Sequence, residues 1–477
     1  MQVLALLEQF SDEDAEWLLQ TAEERGLAQG EVLIQAGEPS ATLHLVVQGL
    51  FAVLDEDTGA RLAILGPGDL MGELSFLEGT APTESVHALE DSTVLELSPA
   101  VLRERADEEP AFSTRLYRAL AQVLAGRLRE ANRRLSVAAE TGVASSQDHP
   151  AWLRLSKPLE EFKQAMVAAN DAAAKDDGRV PDDMGTQIVE QFLEYAVLLN
   201  EVLARDVDND RVREEFGLRI QREMLPYLLL TDTAQRFYSK PRGYAGDFWS
   251  LELIYRNQPA GSTAVGEVFD RCFLEIHAAR SVRHRRGILA DHIGDAVRTS
   301  QQRPAQITSL ASGPAREVFD AFAALENPAD LRATLLDIDL QALAFVSDEA
   351  KKAGIERQLS LVTGNLVRLA LGKAHTDIRE QDLVYSIGLI DYLGDELVVR
   401  LMNLIHSMLR DGGRVVLGNV HTSNPSRAMM DHVLDWRLIH RTEEDMHRLF
   451  ASSAFGRPAT EIRFEDERLN MFAECVR

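Results

Sequence analysis

The sequence predicts a multidomain chain of α+β and α/β class: a small all-β roll, a helical middle and a domain built on a parallel sheet. Three observations predict it. Glycine turn signals recur about every ten residues from Gly30 to Gly72, with short alternating segments such as LHLVVQG and FAVLDED between them, which is the pattern of a β-roll or sandwich. From Trp152 to about Ser300 the pattern is mainly helical, with amphipathic runs at 185–206 and 212–230. From 304 onward, ITSLAS, ATLLDID, LSLVTGN, DLVYSIG and GRVVLGNV read as buried strands separated by helical patterns. Strict alternation of that kind implies parallel strands with helices on both faces.

A chain of 477 residues accommodates about three domains. The expected boundaries are a β-roll with its following helix at 1–135, a linker at 136–150, a helical region at 151–303 and the α/β domain at 304–477. Ser11 and Asp14 form an S-x-x-D cap ahead of Trp17, Leu18 and Leu19. Residues 101–140 place Leu116, Leu120, Leu124, Leu128 and Leu135 near one helix face and Arg115, Arg118, Arg127 and Arg129 on the other. That stripe suits either its own β-roll or a partner helix in a homodimer.

The formal net charge of −26 opposes nucleic-acid binding, which needs Lys and Arg to neutralise phosphates. It equally opposes docking on an anionic membrane. Cys272 and Cys475 are the two cysteines; they form no CxxC pair, so neither a disulfide framework nor a metal site is expected. The start, MQVLALLEQFSDEDAEW, lacks a basic leader segment, and a cytoplasmic location is the expectation.

In the first region, GEVLIQAGEPSATLHLVVQG at 30–49 and MGELSFLEGT at 71–80 resemble the cyclic-nucleotide-binding domain. In that family the second segment begins a phosphate-binding cassette. The resemblance makes Gly72 the close-approach glycine and Glu73 the acid that accepts a ribose hydroxyl. The cassette then departs from the family pattern, because it continues PTES. Pro82 stands where the family has the arginine that pairs with the cyclic phosphate, Thr83 follows it, and Glu84 replaces a small residue. Weak or absent binding of cAMP and cGMP is therefore expected. Regulators of the catabolite-activator type follow this module with a winged helix-turn-helix; the segment here is a long acidic helical stretch, so a transcription factor is not expected.

In the last region a strand-to-helix turn, SLASGPARE at 309–317, has Gly313 at its tightest point. Asp337 ends the next apolar strand 24 residues later, near the spacing of a ribose-binding carboxylate, with Asp339 as either its partner or a helix cap. Ligands on such sheets bind outside the carboxyl ends of the strands. Together these residues resemble class I methyltransferases with a Rossmann-like domain, in which S-adenosylmethionine is the cofactor. The resemblance implies that Ser309, Ala311 and Gly313 line the amino-acid moiety and that Asp337 and Asp339 take the ribose. It places Asn365 and Leu366 beside the adenine, and Ser386 and Gly388 near the methyl donor. Ser309, Ala311 and Ala315 replace an acid and two glycines of the family loop, which also ranks a nicotinamide dehydrogenase lower.

RFYSKPRGYAGDFWSLELIYRNQP at 236–259, SVRHRRGIL at 281–289 and LDWRLIHRTEEDMHRLF at 434–450 further resemble the 3-hydroxypalmitic acid methyl ester biosynthesis methyltransferases. That resemblance implies methylation of a fatty-acid carboxylate, forming a diffusible signal. Such an acceptor is already ionised at neutral pH and needs orientation rather than a base. Arg242 and Tyr244 are the candidates to orient it, with RGYAGDF as a lid, and His421 follows the fifth strand within reach. The run Arg283, His284, Arg285, Arg286 suits a solvated helix face or an anionic head group. A ligand sensor without turnover and transfer to another O or N acceptor are the competing readings.

Overall fold

The computed structural model describes residues 14, 17–18, 21–38, 40–56, 61–66, 69–121, 123–124, 149–207, 209–240, 242 and 244–477. Ser11, Leu19, Arg127, Leu128, Arg129, Leu135 and the expected linker 136–148 lie outside them. The chain divides into two compact units, Met1–Arg134 with Pro241–Tyr244, and Leu135–Lys240 with Ala245–Arg477.

The first unit holds strands β1 (Glu23–Leu27), β2 (Val32–Ile34), β3 (Leu43–Gln48), β4 (Phe51–Asp55), β5 (Arg61–Leu65), β6 (Leu70–Met71), β7 (Glu84–Ala88) and β8 (Ser92–Leu97). They pair antiparallel in two sheets, β1-β8-β3-β6 and β2-β7-β4-β5. Apolar residues at alternate positions meet between the sheets as Leu27, Val46, Phe51, Met71, Val86 and Val94, because successive side chains of a strand point to opposite faces. Helix α1 (Glu73–Glu78) sits between β6 and β7, and α2 (Pro99–Glu108) follows β8 with Pro99 at its first turn. In the helical stretch at 110–121, Phe112, Leu116, Ala119 and Leu120 bury against Leu43, Leu70 and Phe76. That part of the leucine stripe therefore covers its own roll. Arg115 turns to the buried Asp14, bonded through Nη2 at 3.1 Å.

The second unit opens with α3 (Pro150–Ala173), α4 (Asp182–Arg205), α5 (Asp210–Leu228), α6 (Thr233–Ser239), α7 (Phe248–Arg256), α8 (Ala264–Leu274) and α9 (His277–Thr299). Phe162, Phe192, Phe269 and Phe273 interlock at ring-centroid distances of 5.0–5.7 Å in their core. The parallel sheet follows: β9 (Ala305–Leu310), α10 (Arg316–Ala324), β10 (Leu331–Asp337), α11 (Leu340–Ala353), β11 (Leu359–Thr363), α12 (Leu366–Ala370), β12 (Gln381–Ile387), α13 (Asp395–Met408), β13 (Leu409–Val420), α14 (Glu443–Ser452), β14 (Glu461–Phe464) and β15 (Asn470–Val476). The seven strands run in the order β11-β10-β9-β12-β13-β15-β14. All neighbours from β11 to β13 are parallel, and β15 is antiparallel to both of its own. Strand order reverses between β9 and β12, and the carboxyl ends of the strands at such a point are where open α/β sheets bind ligands.

Two expectations change. The boundary at 303 does not separate domains. Leu289, Ile293, Ala296 and Val297 of α9 share a core with Ala305, Ile307, Leu335, Leu383 and Tyr385 of the sheet, so the helical region and the sheet are one unit. LSLVT forms a strand as expected, yet as the sheet edge β11 it is half-exposed rather than buried. Among the described residues no helix is long and apolar enough to cross a membrane, and no group of His, Cys, Asp and Glu could hold a metal ion. Cys272 and Cys475 are free and buried.

His44 and His292 are each 3% exposed. Burial pushes the His44 imidazole down to about 4, against the pull of Glu96 at 3.4 Å. Burial, with Arg414 and Arg463 adding repulsion, pushes His292 down to about 4. The unfolded chain takes up these protons near pH 6.5 and the folded chain does not. Each histidine thus contributes stability that is present above pH 6.5 and lost as the pH falls toward 4, on the order of 3 kcal/mol. Urea melts of His292→Gln between pH 7.5 and 4.5 should show a shallower loss of stability than the parent; an identical slope would contradict a buried neutral His292.

Candidate functional site

The turn after β9 is held in an uncommon backbone. Ala311 (φ 54°), Gly313 (φ 51°) and Ala315 (φ 49°) all lie in the left-handed region. The two alanines cost roughly 1–2 kcal/mol each there, and such conformations persist only where the surroundings over-determine them. Asp337 supplies much of that determination. Its Oδ2 accepts the Gly313 amide at 2.8 Å and its Oδ1 accepts the Asp339 amide at 2.9 Å. The Ser312 amide adds a bond to the Leu336 carbonyl at 3.3 Å. Burial pushes the Asp337 carboxyl up, opposed by the amides of Asp339 and Gly313. Asp339 caps α11, accepting from Gln341 and Ala342. Ser312 Oγ is buried and bonded to no protein atom.

The turn after β12 faces it. Gly388 (φ 83°) begins it, and a 3-10 turn at Ile390–Tyr392 carries it across the β13 end. Asp391 accepts the Val420 amide at 2.7 Å through Oδ1 and the Ile439 amide through its carbonyl at 2.7 Å. Arg441, 2% exposed, donates to the carbonyls of Ile390 and Leu393, to Asn419 and to Asp395. A buried guanidinium with this many acceptors fixes the turn rather than leaving it free to move.

The segment from Ala245 to Arg256 lies over both turns. Asp247 caps α7 through the amides of Trp249 and Ser250 and holds Arg236 through both oxygens at 2.9 and 2.7 Å. A Cβ placed on Gly246 would lie 2.7 Å from the Tyr392 hydroxyl and 3.2 Å from the Trp436 ring. The Trp436 indole donates to that same hydroxyl at 2.8 Å. A Cβ on Gly313 would lie 3.7 Å from Leu251, and Glu252 pairs with Arg316 at 2.5 and 2.8 Å.

Behind the turns is a cluster of ionisable groups. The Tyr385 hydroxyl donates to Glu317 at 2.8 Å. Burial pushes Glu317 up and pushes Asp391 up to about 6, the latter opposed by Val420, Arg285 and Arg441. Arg285 of α9, 6% exposed, bonds to the Tyr255 hydroxyl.

The expected cofactor residues are thus partly gathered. Ala311, Gly313, Asp337, Asp339 and Gly388 meet at the carboxyl ends of β9, β10 and β12. Ser309 is buried and bonded by Tyr385, and Ser386 donates to the Leu310 carbonyl at 2.8 Å, so both brace the strands from within. Asn365 caps α12 by accepting the Arg368 amide at 3.1 Å, with Leu366 buried beside it. His421 is committed elsewhere: Nδ1 meets Ser423 at 2.7 Å and Nε2 meets Glu443 at 3.0 Å. Arg242 and Tyr244 group with the first unit, while Gly246 and Asp247 of RGYAGDF belong to the second, Gly246 beside Tyr392 and Asp247 capping α7. The sequence marks none of Tyr255, Glu317 and Asp391 individually as site residues; the one signal in this cluster is Arg285's place in the basic run.

In the first unit a cavity of about 140 Å³ is lined by Gly72, Glu73, Glu78, Pro82, Thr83 and Glu84 among others, and among the described residues by no Lys or Arg. A Cβ on Gly72 (φ 85°) would lie 2.2 Å from the Thr42 carbonyl oxygen, so glycine is required there. The Thr83 hydroxyl donates to Glu84 at 2.7 Å, and the Pro82 carbonyl accepts the Gly37 amide.

Comparison with known proteins agrees with both halves. The model of the cyclic nucleotide-binding domain matches residues 24–109, and the model described as "Putative methyltransferase" matches residues 242–367. An uncharacterised NTE family protein of Mycobacterium tuberculosis is 29% identical over 119 residues, covering 25% of this chain and 20% of that protein. A CRP-like cAMP-activated global transcriptional regulator of the same species is 29% identical over 110 residues, covering 22% of this chain and 47% of the regulator. The match thus spans about a fifth of the first relative and about half of the second. Among solved structures, the N-terminal domain of a Streptomyces coelicolor transcriptional regulator is 31% identical, covering 27% of this chain and 94% of its own, with a TM-score of 0.24. A protein described as a possible exported protein from Bordetella parapertussis is 19% identical, covering 61% and 96%, with a TM-score of 0.44. The chain carries a cyclic-nucleotide-binding domain and a methyltransferase-family domain within a multidomain α+β and α/β architecture.

Gly246→Ala should cost roughly 1–3 kcal/mol by overpacking against Tyr392 and Trp436. Gly287→Ala in α9, where a Cβ meets nothing within 4 Å, should instead add about 0.5–1 kcal/mol. Urea unfolding of the two variants checks this, and a Gly246→Ala protein as stable as its parent would contradict the close seat of 245–247 on the Tyr392 turn.

Proposed function

We propose that the second unit is an S-adenosylmethionine-dependent methyltransferase whose acceptor is a fatty-acid carboxylate of the 3-hydroxy acid class. The observation that carries the reading is the left-handed turn Ala311–Ala315, tied by the Gly313 amide to Asp337 at the point where strand order reverses. The residues present fit a nucleoside with an amino-acid tail. Asp337 spends one acceptor direction of each oxygen on an amide, and each carboxylate oxygen has two, leaving directions for ribose hydroxyls beside Asp339. The buried Ser312 hydroxyl, without a protein partner, is available to a ligand, since buried polar groups rarely go unbonded. When bound, the cofactor would supply an electrophilic methyl group on a sulfonium, with a neutral thioether as its leaving group. The chain's own work is orientation: the Arg441-braced turn at Gly388–Leu393 fixes one wall, and Leu251 and Gly246 close the other against water. A carboxylate acceptor arrives ionised, so no side chain need remove a proton. The acceptor class rests on the likeness of the 236–259, 281–289 and 434–450 segments to enzymes of fatty-acid methyl ester formation.

The first unit, on the same reading, has lost its cyclic-nucleotide response. The cavity offers Glu73, Glu78 and Glu84 where a phosphate needs a cation. Losing that partner costs about 2–5 kcal/mol, or roughly 30-fold to several thousand-fold in affinity.

Calorimetry should detect S-adenosylhomocysteine binding by the full chain, and Asp337→Ala should weaken it by about 100-fold or more, the worth of charged hydrogen bonds plus the released turn. Unchanged binding would remove Asp337 from the ribose. Release of S-adenosylhomocysteine when 3-hydroxypalmitate is supplied separates turnover from sensing. Titration with cAMP up to millimolar concentration should show no saturable heat; micromolar binding would restore the first unit as a cyclic-nucleotide receptor.

A further inference from the structure

The four-residue basic run on α9 is not one surface. Arg283 donates to the Leu274 carbonyl and pairs with Glu275 at 3.1 Å, and Arg286 pairs with Asp320 at 2.6 Å. His284 is 3.9 Å from Glu465. Arg285 turns the other way. It is 94% buried by its 6% residual exposure, and among the described residues no carboxylate lies within ion-pair distance of it. Its Nε is buried and bonded to no protein atom. Its hydrogen-bond partner is the neutral Tyr255 hydroxyl.

The guanidinium lies at the proposed cleft. A Cβ on Gly388, the first residue past β12, would be 3.4 Å from Arg285 Nη1 and 3.7 Å from Nη2. The two acids that act on it from farther away are committed: Glu317 accepts from Tyr385 and Asp391 accepts from Val420. An arginine cannot shed its charge to escape burial, and an ion removed from water carries a large desolvation penalty unless it is paired. A planar fork with an unspent Nε matches a carboxylate, which accepts two parallel N–H bonds.

We infer that Arg285 is the residue that receives a ligand carboxylate in this cleft. The inference rests on the methyltransferase reading and deepens it. The carboxylate has two chemical sources there: the amino-acid end of the cofactor, or the acceptor. Gly388 (φ 83°) takes a left-handed backbone that favours glycine, and this places the turn in van der Waals reach of the guanidinium.

Arg285→Met, which keeps the apolar stem and removes the fork, and Arg285→Lys, which keeps the charge without it, distinguish the sources in the full chain. Calorimetry would use S-adenosylhomocysteine, 5′-methylthioadenosine (the same nucleoside thioether without the carboxylate) and 3-hydroxypalmitate. If the cofactor end is the source, Arg285→Met weakens S-adenosylhomocysteine roughly 30-fold to several thousand-fold and leaves methylthioadenosine unchanged. If the acceptor is the source, both nucleosides keep their affinity and 3-hydroxypalmitate loses it by a similar factor. Arg285→Lys gives the same pattern with a smaller loss and decides the matter if the methionine variant does not fold. Unchanged affinity for all three ligands in a folded variant overturns the assignment. A parent protein that binds neither nucleoside refutes the methyltransferase reading itself; the Arg285 assignment is then decided by 3-hydroxypalmitate alone, and stands only if the variants weaken it.

Discussion

The carboxyl end of the seven-stranded sheet depends on one side chain bridging two turns. Asp337 ends β10, yet it is spent on the amides of Gly313 and Asp339. Without that bridge, two alanines in the left-handed region would have little to hold them there. The bridge also accounts for a turn after β9 that holds its left-handed backbone with alanine at 311 and 315. Glycines would make the conformation easy to reach; here a buried acceptor makes it hard to leave. Strain is shifted from sequence composition to a hydrogen bond.

The same economy governs charge. Acidic residues dominate the chain, yet the cleft is walled by arginines with distinct duties. Arg441 satisfies backbone carbonyls and Arg316 joins α10 to α7 through Glu252, while Arg285 keeps capacity in reserve. Burial holds up two carboxyls of this region, Glu317 and, to about 6, Asp391. Charges buried in a setting of low polarity act strongly on one another.

Much of the scaffold was legible in the sequence. Period-two alternation marks the β-roll, and the apolar runs mark β9, β10, β12 and β13. The spacing from Gly313 to Asp337 brings two turns together because consecutive parallel strands end at the same edge. What escaped was set by rotation and long-range packing. One step along a helix turns a side chain by about 100°, so Arg285 points inward while Arg283, His284 and Arg286 find partners elsewhere, and no count of basic residues reveals which is which. The α9 stripe that fuses the helical region to the sheet looks the same whether it meets a helix or a strand. LSLVT is apolar enough for an interior strand, yet nothing in it marks the edge. Asp391 and Tyr255 carried no spacing signal, because their meeting is tertiary.

The bond from Trp436 to the Tyr392 hydroxyl gives the molecule a built-in optical reporter. Four tryptophans occur in the chain; Trp436 stands beside the β12 turn, Trp249 on α7 packs edge-on against Phe345, and Trp152 is sealed in the helical core at 5% exposure. Indole emission shifts with local polarity and with loss of a hydrogen bond. Occupancy of the crevice would thus register as a colour change in the native protein, read without a label and without knowing the occupant.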